Sequence, residues 1–157
     1  MRIYQNLIRS WGKRRSFAWI GRHVVEPLDR FGRGRKRTLT TTGTDFPLCY
    51  LTTTGRRSGE DRVVPLLFAG TEEAPIVTGT NFGGDHHPAW ALNLQANPRG
   101  RLQIGDRERP VRARLLTEEE RHEVWPDLVR IWPGYDGYIK RSGRLPHTFI
   151  LEAADTI

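Results

Sequence analysis

The sequence contains a single cysteine, Cys49, among 157 residues. One cysteine cannot form an intramolecular disulfide, and it excludes a metal site built only from cysteines. This usage is typical of proteins that fold in a reducing compartment, so we expect a cytoplasmic location. Residues 1–6 lead into no apolar core of a signal peptide. No apolar run approaches the ~20 residues that a membrane-spanning helix needs.

The common catalytic motifs are missing as well. The sequence has no G-x-S-x-G elbow, no Walker loop, no G-x-G-x-x-G after a predicted strand and no H-E-x-x-H. His86 and His87 are adjacent, so their side chains point in different directions, and no cysteine or further histidine nearby completes a metal set. We therefore expect no metal site. We also expect Cys49, which lies in an apolar run, to be a buried hydrophobe rather than a nucleophile.

Positive charge, by contrast, is abundant, with a net charge of +7 and a pI near 10.3. Much of it lies between Arg2 and Arg37, where basic residues far outnumber Glu26 and Asp29. Apolar residues recur there at steps of three and four, which predicts a basic amphipathic helical segment over residues 1–37. Such a helix either contacts the anionic inner face of the cell membrane or packs on the protein, and the sequence leaves both open.

The rest of the chain, residues 38–157, is predicted to form one α+β domain around a mainly antiparallel sheet. About six runs have the composition of short strands: residues 47–54, 62–69, 75–80, 99–104, 110–116 and 147–152. Pro65 predicts an edge strand or a bulge. One helix is expected from Pro88 and another from Thr117, with Glu120 at the capping-box spacing.

A glycine-bearing turn joins the first two predicted strands. Its sequence, Thr54-Gly-Arg-Arg-Ser-Gly59, carries two guanidinium groups and a hydroxyl, and Arg62 follows shortly after. Glycine lets backbone N–H groups approach an anion, and arginine forks match phosphate and carboxylate oxygens. The turn therefore predicts an anion site, with an exposed basic hairpin tip as the alternative.

Aromatic residues form a second candidate site, which includes Trp90, Trp132, Tyr135 and Tyr138. The spacing of the two tyrosines places both on one side of a helical turn. A solvated tyrosine hydroxyl beside an aromatic wall suits a planar ligand and can donate a proton. An ordinary core stripe is the alternative interpretation.

Two longer stretches carry a family resemblance. Residues 51–66, LTTTGRRSGEDRVVPL, and residues 87–98, HPAWALNLQANP, resemble the deazaflavin-dependent nitroreductase family, the actinobacterial reductases that use coenzyme F-420. The acidic helix from Thr117 and the WPGYDGY segment at 132–138 fit in the same order. The resemblance implies a split β-barrel of the FMN-binding type. It also implies that reduced F-420 transfers a hydride to a quinone, an enone or a nitro compound.

The resemblance also implies roles for individual residues. The phosphate and tail of the coenzyme would be held by Arg56, Arg57, Ser58 and Arg62 beside Thr54, with Arg35 and Lys36 near the glutamate tail. The deazaflavin and its linker would be lined by Thr80, Asn81, Gly83, Gly84, Val64 and Pro65, with Trp90 near the ring. Tyr135 and Tyr138 would face the substrate as proton donors. Asn81 replaces a lysine and Trp132 replaces a tyrosine of some members, which weakens the expectation of nitroimidazole reduction.

Other interpretations remain open at this point. Related split barrels bind FMN, FAD or haem, and a carrier of the deazaflavin would need no turnover. A non-catalytic basic module for membrane or nucleic acid would bind polyanions with strong salt dependence. The sequence shows no recognisable nucleic-acid motif, so we expect a small-molecule substrate and no specific nucleic acid. Split barrels of this size often dimerise, and the sequence leaves both a homodimer and a monomer open.

Overall fold

The computed structural model describes residues 46–155, which form one curled antiparallel sheet with three α-helices packed on it. The strands are β1 Leu48–Thr54, β2 Asp61–Leu67, β3 Ala69–Gly70, β4 Pro75–Thr78, β5 Arg99–Ile104, β6 Arg107–Leu115 and β7 Thr148–Ala153. Their order across the sheet is β2-β1-β5-β6-β7-β4-β3, and every neighbouring pair is antiparallel. The predicted α+β class and antiparallel sheet are confirmed.

The two edges of this sheet belong to consecutive strands. β2 ends at Leu67 and β3 begins at Ala69, so Phe68 alone separates the two edges along the chain. The Phe68 side chain is buried in the core, and its N–H donates to the Pro47 carbonyl at 3.1 Å. The run predicted as one strand over residues 62–69 is therefore divided at Phe68, and its two parts pair with β1 and with β4. This division gives seven strands where about six were expected.

Alternation along the strands places one apolar face inside the curl. Leu51 of β1 lies opposite Val64 of β2 and Leu102 of β5, and all three side chains are buried. Helix α1, Ala89–Ala96, contributes Trp90 to the same core. The buried members of this inner core are Cys49, Leu51, Val64, Phe68, Val77, Trp90, Ala91, Leu94, Leu102, Val111, Ala113, Phe149 and Leu151.

Two further helices, α2 Glu118–Ile131 and α3 Gly134–Ser142, pack around a second apolar cluster. The predicted capping box of α2 is confirmed, because Thr117 Oγ1 accepts from the Glu120 N–H at 3.2 Å and Glu120 Oε2 accepts from the Thr117 N–H at 2.9 Å. The buried residues of this cluster are Ala69, Leu128, Trp132, Tyr135 and Tyr138. The cluster fixes α3, and with it both candidate tyrosines, against the rest of the domain.

Two predictions about single residues are confirmed. Pro65 lies in β2, an edge strand of the sheet, where a missing N–H breaks no ladder on the open side. Cys49 is fully buried, and this burial raises the pKa of its thiol to about 12, so the thiol is neutral and shielded.

None of the helices within residues 46–155 is long and apolar enough to cross a bilayer. The predicted basic helix over residues 1–37, its proposed contact with a membrane, and Arg35 and Lys36 within it all lie outside the described residues.

Candidate functional site

The turn between β1 and β2, residues 54–60, is named here the anion loop. Two backbone bonds close it: the Gly55 N–H donates to Glu60 O at 2.7 Å, and the Gly59 N–H donates to Gly55 O at 2.7 Å. Gly59 has a left-handed φ of +71°, which favours glycine. A Cβ on Gly55 would come within 2.6 Å of Ser58 Oγ, so a side chain there would displace the serine. The turn therefore needs both glycines to keep this tight path.

The anion loop presents several donors at once. The backbone N–H groups of Arg57 and Ser58 make no hydrogen bond within residues 46–155. Ser58 Oγ accepts from the Glu60 N–H at 3.2 Å, which leaves its hydroxyl proton to donate. The Arg56 and Arg57 side chains are exposed and form no ion pair with any described residue. This donor set suits a phosphate or a carboxylate.

Arg62 reaches the same loop from β2, but it already has a partner. Its Nη2 donates to Glu60 Oε2 at 2.7 Å, and both side chains are more than half exposed, at 58% and 67%. Exposed pairs of this kind are held together weakly, so an anion could take Arg62 from Glu60 at little cost. Glu60 was not among the predicted site residues.

Asn93 of α1 attaches the anion loop to the body of the domain. Its Oδ1 accepts from the Arg56 N–H at 3.1 Å, and its Nδ2 donates to Thr53 Oγ1 at 3.1 Å. Asn93 and Thr53 are both buried, so this short chain of hydrogen bonds is shielded from water. Sequence reasoning missed Asn93, although it lies inside the second resembling stretch, on a helix whose other residues are apolar except for Gln95.

A second loop, residues 79–84, has an unusual backbone and is named here the left-handed loop. Asn81, Phe82 and Gly83 have φ values of 50°, 52° and 75°, so three successive residues are left-handed. This conformation is costly for the two residues that carry a Cβ. A Cβ on Gly83 would lie 3.1 Å from the Tyr138 Cα, which shows how closely this loop approaches α3.

Helix α1 lies close to both loops. At its N-terminus the Ala91 and Leu92 N–H groups donate to Pro88 O, and a Cβ on Gly79 would lie 3.1 Å from Pro88 Cγ. About one turn further along the helix, Asn93 accepts a hydrogen bond from the Arg56 N–H of the anion loop. The helix is about 12 Å long at 1.5 Å per residue, so the two loops lie within a small molecule's length of each other.

The two candidate tyrosines are buried beside the left-handed loop. Tyr138 Oη accepts from Trp132 Nε1 at 3.1 Å, and the Phe82 ring lies edge-on to the Tyr138 ring at 6.0 Å. Desolvation by burial raises the pKa of Tyr138 and, more strongly, that of Tyr135. Both hydroxyls are therefore protonated at neutral pH and able to donate. The expected solvated hydroxyl is not observed at Tyr138, whose side chain is 1% exposed.

Most of the remaining predicted site residues lie in the two loops, but Val64 and Trp90 lie in the inner core. Thr80, Asn81 and Gly84 lie with Gly83 in the left-handed loop, and Thr54 begins the anion loop. Pro65 is half-buried on the edge strand opposite Tyr50. The Val64 and Trp90 side chains lie in the inner core instead, with the Trp90 ring 6.0 Å from Phe149. Their contribution to any ligand surface is therefore limited to the small exposed part of each residue.

Arg144 is the main site residue that the sequence did not reveal. Its guanidinium donates to carbonyl oxygens of the left-handed loop from just beyond α3. The contacts bridge 60 to 65 positions of sequence, so no local spacing could indicate them. His147, which directly follows Pro146, stacks on His87, a residue that Arg144 also contacts.

Comparison with known proteins places these features in a family. Residues 26–152 match the family model described as F-420H(2)-dependent quinone reductase. A Mycobacterium tuberculosis protein assigned to that activity is 36% identical over 90 residues, which make up 57% of this chain and 76% of that protein. Another F-420H(2)-dependent quinone reductase of M. tuberculosis is 28% identical over 86 residues, 55% of this chain and 54% of its own. The chain thus spans about half the length of this second relative.

Solved structures agree with this match. The structure of an F-420H2-dependent reductase, FDR-A, has a TM-score of 0.62 and 36% identity, covering 68% of this chain and 94% of that one. A second relative, described as a domain-swapped dimer, has a TM-score of 0.63 and 34% identity, covering 80% and 99%. The likeness to FDR-A confirms the predicted split-barrel architecture.

Proposed function

Because the chain belongs to the F-420H(2)-dependent quinone reductase family, we propose that it reduces a quinone with a hydride taken from reduced F-420. The family assignment makes the chain an F-420-dependent oxidoreductase, as the sequence predicted. Its coenzyme is F-420, again as predicted. The identity of the acceptor and the roles of single residues are the proposed part.

The donor set of the anion loop supports the binding of this coenzyme. F-420 carries a phosphate and a glutamate tail, and both are anionic. Arg56 and Arg57 would meet these charges in solvent, while the Ser58 hydroxyl and two loop N–H groups would donate to the phosphate. Arg62 would exchange its exposed contact with Glu60 for the phosphate. This loop is the observation that carries the proposal, because four donor residues converge on one turn.

The left-handed loop would support the ring system. Its backbone lies against α3 near Tyr138, about one helix length from the anion loop. Thr80–Gly84 would hold the ring, and Arg56 would help to hold the phosphate of the same coenzyme. The bound coenzyme supplies the hydride, and the protein's contribution is to hold the two reactants in contact and to keep water away.

Protonation of the acceptor is assigned to the tyrosines. A quinone that accepts a hydride becomes a hydroquinone anion, and one further proton completes the hydroquinone. Tyr138 accepts the Trp132 indole N–H on its oxygen, so this bond does not use the hydroxyl proton, and because the side chain is 1% exposed the acceptor would have to enter against α3 to receive it. Tyr135, whose ring lies 6.3 Å away, is the second candidate donor.

Turnover tests the proposal directly. Purified protein is mixed with reduced F-420 and a soluble naphthoquinone in oxygen-free buffer, and the return of the oxidised deazaflavin absorbance is followed. We expect enzyme-dependent oxidation with one hydroquinone formed per coenzyme. An enone and a nitroimidazole are run in parallel, and faster turnover of either would replace the quinone as the proposed acceptor. No turnover of any acceptor by a protein that binds F-420 would favour a carrier.

Self-association is proposed on narrower grounds. One solved relative is described as a domain-swapped dimer, and it covers 80% of this chain. We expect light scattering of the purified chain to give the mass of a dimer. A monomer mass at all concentrations tested would contradict this.

A further inference from the structure

The left-handed loop needs an external support. Asn81 and Phe82 are non-glycine residues at positive φ, a conformation that is unfavourable for a residue with a Cβ and persists only where surrounding contacts impose it. The internal bonds of the loop are few: Gly83 N–H to Thr80 O at 3.0 Å, Gly84 N–H to Asn81 O at 2.9 Å and Asn81 Nδ2 to His86 O at 2.9 Å. These bonds lie within residues 80–86, and only the first loop residue has a backbone bond to another part of the described domain, from the Gly79 N–H to His147 O at 2.8 Å.

Arg144 provides that attachment. Its Nη2 donates to Thr80 O at 3.0 Å and to Gly84 O at 3.2 Å, and its Nη1 donates to Gly79 O at 3.3 Å. One planar fork thus holds the first and last carbonyls of the loop together and fixes the separation of its ends. Arg141 adds one bond on the outer side, from Nη1 to Phe82 O at 3.1 Å.

The chain reaches this position through a defined turn. Helix α3 ends at Ser142, and Gly143 has a left-handed φ of 63° with its N–H donating to Ile139 O at 2.8 Å. This C-terminal cap reverses the chain direction, so that Arg144 is directed back across the left-handed loop. Arg144 is therefore tied rigidly to α3, the helix that carries Tyr135 and Tyr138.

A histidine pair completes the surroundings of the guanidinium. Arg144 Nη1 lies 2.8 Å from His87 Nδ1, and because an arginine can only donate, His87 accepts there and carries its proton on Nε2. The His147 ring is stacked on His87 at 3.6 Å and 5°. Burial, together with the neighbouring Arg144, lowers the pKa of both histidines, to about 4 for His87. At neutral pH both histidines are thus neutral, and the Arg144 guanidinium is the one cation of this group of three side chains.

We propose that Arg144 is the positioning residue of the coenzyme site: by holding the carbonyls of Gly79, Thr80 and Gly84 it keeps the left-handed loop in the shape that receives the deazaflavin. This inference rests on the proposed function of the same loop. Both terminal nitrogens of Arg144 donate to the protein itself, and its Nε is buried with no partner among the described residues, so the guanidinium contacts the loop and not the coenzyme's charge. Its effect on binding is one of geometry.

The test compares Arg144→Lys and Arg144→Gln with the parent, and uses Arg130→Gln, which removes an exposed arginine of α2, as the control. Hydrogen exchange of the peptide spanning residues 79–88, measured without coenzyme, reports the loop directly. Titration with oxidised F-420 reports its consequence. Lysine keeps the positive charge but cannot donate to three carbonyls at once. Arg144→Lys therefore tests the planar donor geometry, whereas Arg144→Gln also removes the charge.

We expect both Arg144 variants to exchange faster in residues 79–88 while β1 and β5 keep parental protection. F-420 should bind at least about tenfold more weakly to each, as loss of a charge-assisted hydrogen bond implies. Guanidinium ion added to a third variant, Arg144→Ala, should restore part of the affinity, and methylammonium should not. Arg130→Gln should match the parent in both measurements.

Parental loop exchange and parental F-420 affinity in folded Arg144→Lys would overturn the proposal. Global loss of protection in Arg144→Lys would also overturn it, because the residue would then hold the whole fold and not one loop. Failure of the parent itself to bind F-420 would reject the proposed function instead, and the exchange of residues 79–88 would still decide whether Arg144 anchors the loop.

Discussion

Arg56 and Arg57 differ from Arg101, Arg114 and Arg130 in that they form no ion pair with any described residue. Arg101, Arg114 and Arg130 face carboxylates at 3.0 Å or less, whereas the two loop arginines face solvent. These charges lie on a turn whose Arg57 and Ser58 N–H groups have no partner between residues 46 and 155, and sequence alone could detect this feature because glycine and arginine are adjacent in the chain. The pairing of Arg62 with Glu60 could not be detected in that way.

The double variant Arg56→Gln/Arg57→Gln should bind F-420 about 10- to 100-fold more weakly, because two cations facing an anionic phosphate and tail are lost. The affinity of the parent should also fall as salt is raised, and that of the variant should fall less. The double variant Arg107→Gln/Arg130→Gln is a matched control. It removes the same amount of charge, one arginine from the β5–β6 hairpin and one from α2. Equal weakening by the control variant would assign the effect to net charge alone.

Tyr138→Phe should lower kcat for quinone reduction at least about tenfold while leaving KM for F-420 nearly unchanged, because the proton donor is lost and the ring is kept. The Trp132 indole also loses this acceptor, so stability should drop by about 1 kcal/mol. Since burial raises the pKa of Tyr138, kcat of the parent should stay flat through neutral pH. The same kcat measurement is made on Tyr135→Phe, which removes the hydroxyl of the second candidate donor. Unchanged kcat in both variants on every acceptor would remove the tyrosines from the mechanism.

At the scale of the elements, sequence reasoning worked where the decisive contacts are local. The capping box of α2 joins residues three apart, and the β1–β2 hairpin joins two strands through one short turn, so both were predictable. The division of β2 from β3 at Phe68 was not, because it depends on pairing with β1 on one side and with the distant β4 on the other. The anchoring of the left-handed loop by Arg144 was missed for the same reason.

Thr117→Ala should destabilise the domain by about 1 kcal/mol, as removal of an N-cap side chain usually does. Urea unfolding followed by tryptophan fluorescence measures this, with Thr117→Ser as the control that keeps the hydroxyl. The hydrogen bonds from Arg114 and Thr117 hold the pKa of Glu120 below its usual value. Its contribution should therefore be present at neutral pH and be lost as the pH falls below about 4. Equal stability of Thr117→Ala and the parent would show that the capping box adds nothing.

At the scale of the whole molecule, a curled sheet whose two edge strands are joined through Phe68 supports a site built on its loops. Helix α1 lies against both loops, so the anion loop and the left-handed loop are held at a fixed separation by one rigid element. Composition and strand patterning predicted the domain class, and the family resemblance supplied the coenzyme. Physical reasoning from the sequence alone left an FMN site and a basic binding module open, because an anion loop of this kind suits any phosphate.

The most direct test of the account is an equilibrium titration of the purified protein with oxidised F-420, followed by tryptophan fluorescence, with FMN and FAD titrated in parallel. We expect saturable binding of F-420, at least about tenfold tighter than either flavin, since the left-handed loop and the anion loop together fit its ring and its anionic tail. Tighter binding of FMN or FAD would contradict the assigned coenzyme. Binding of none of the three would contradict the site itself.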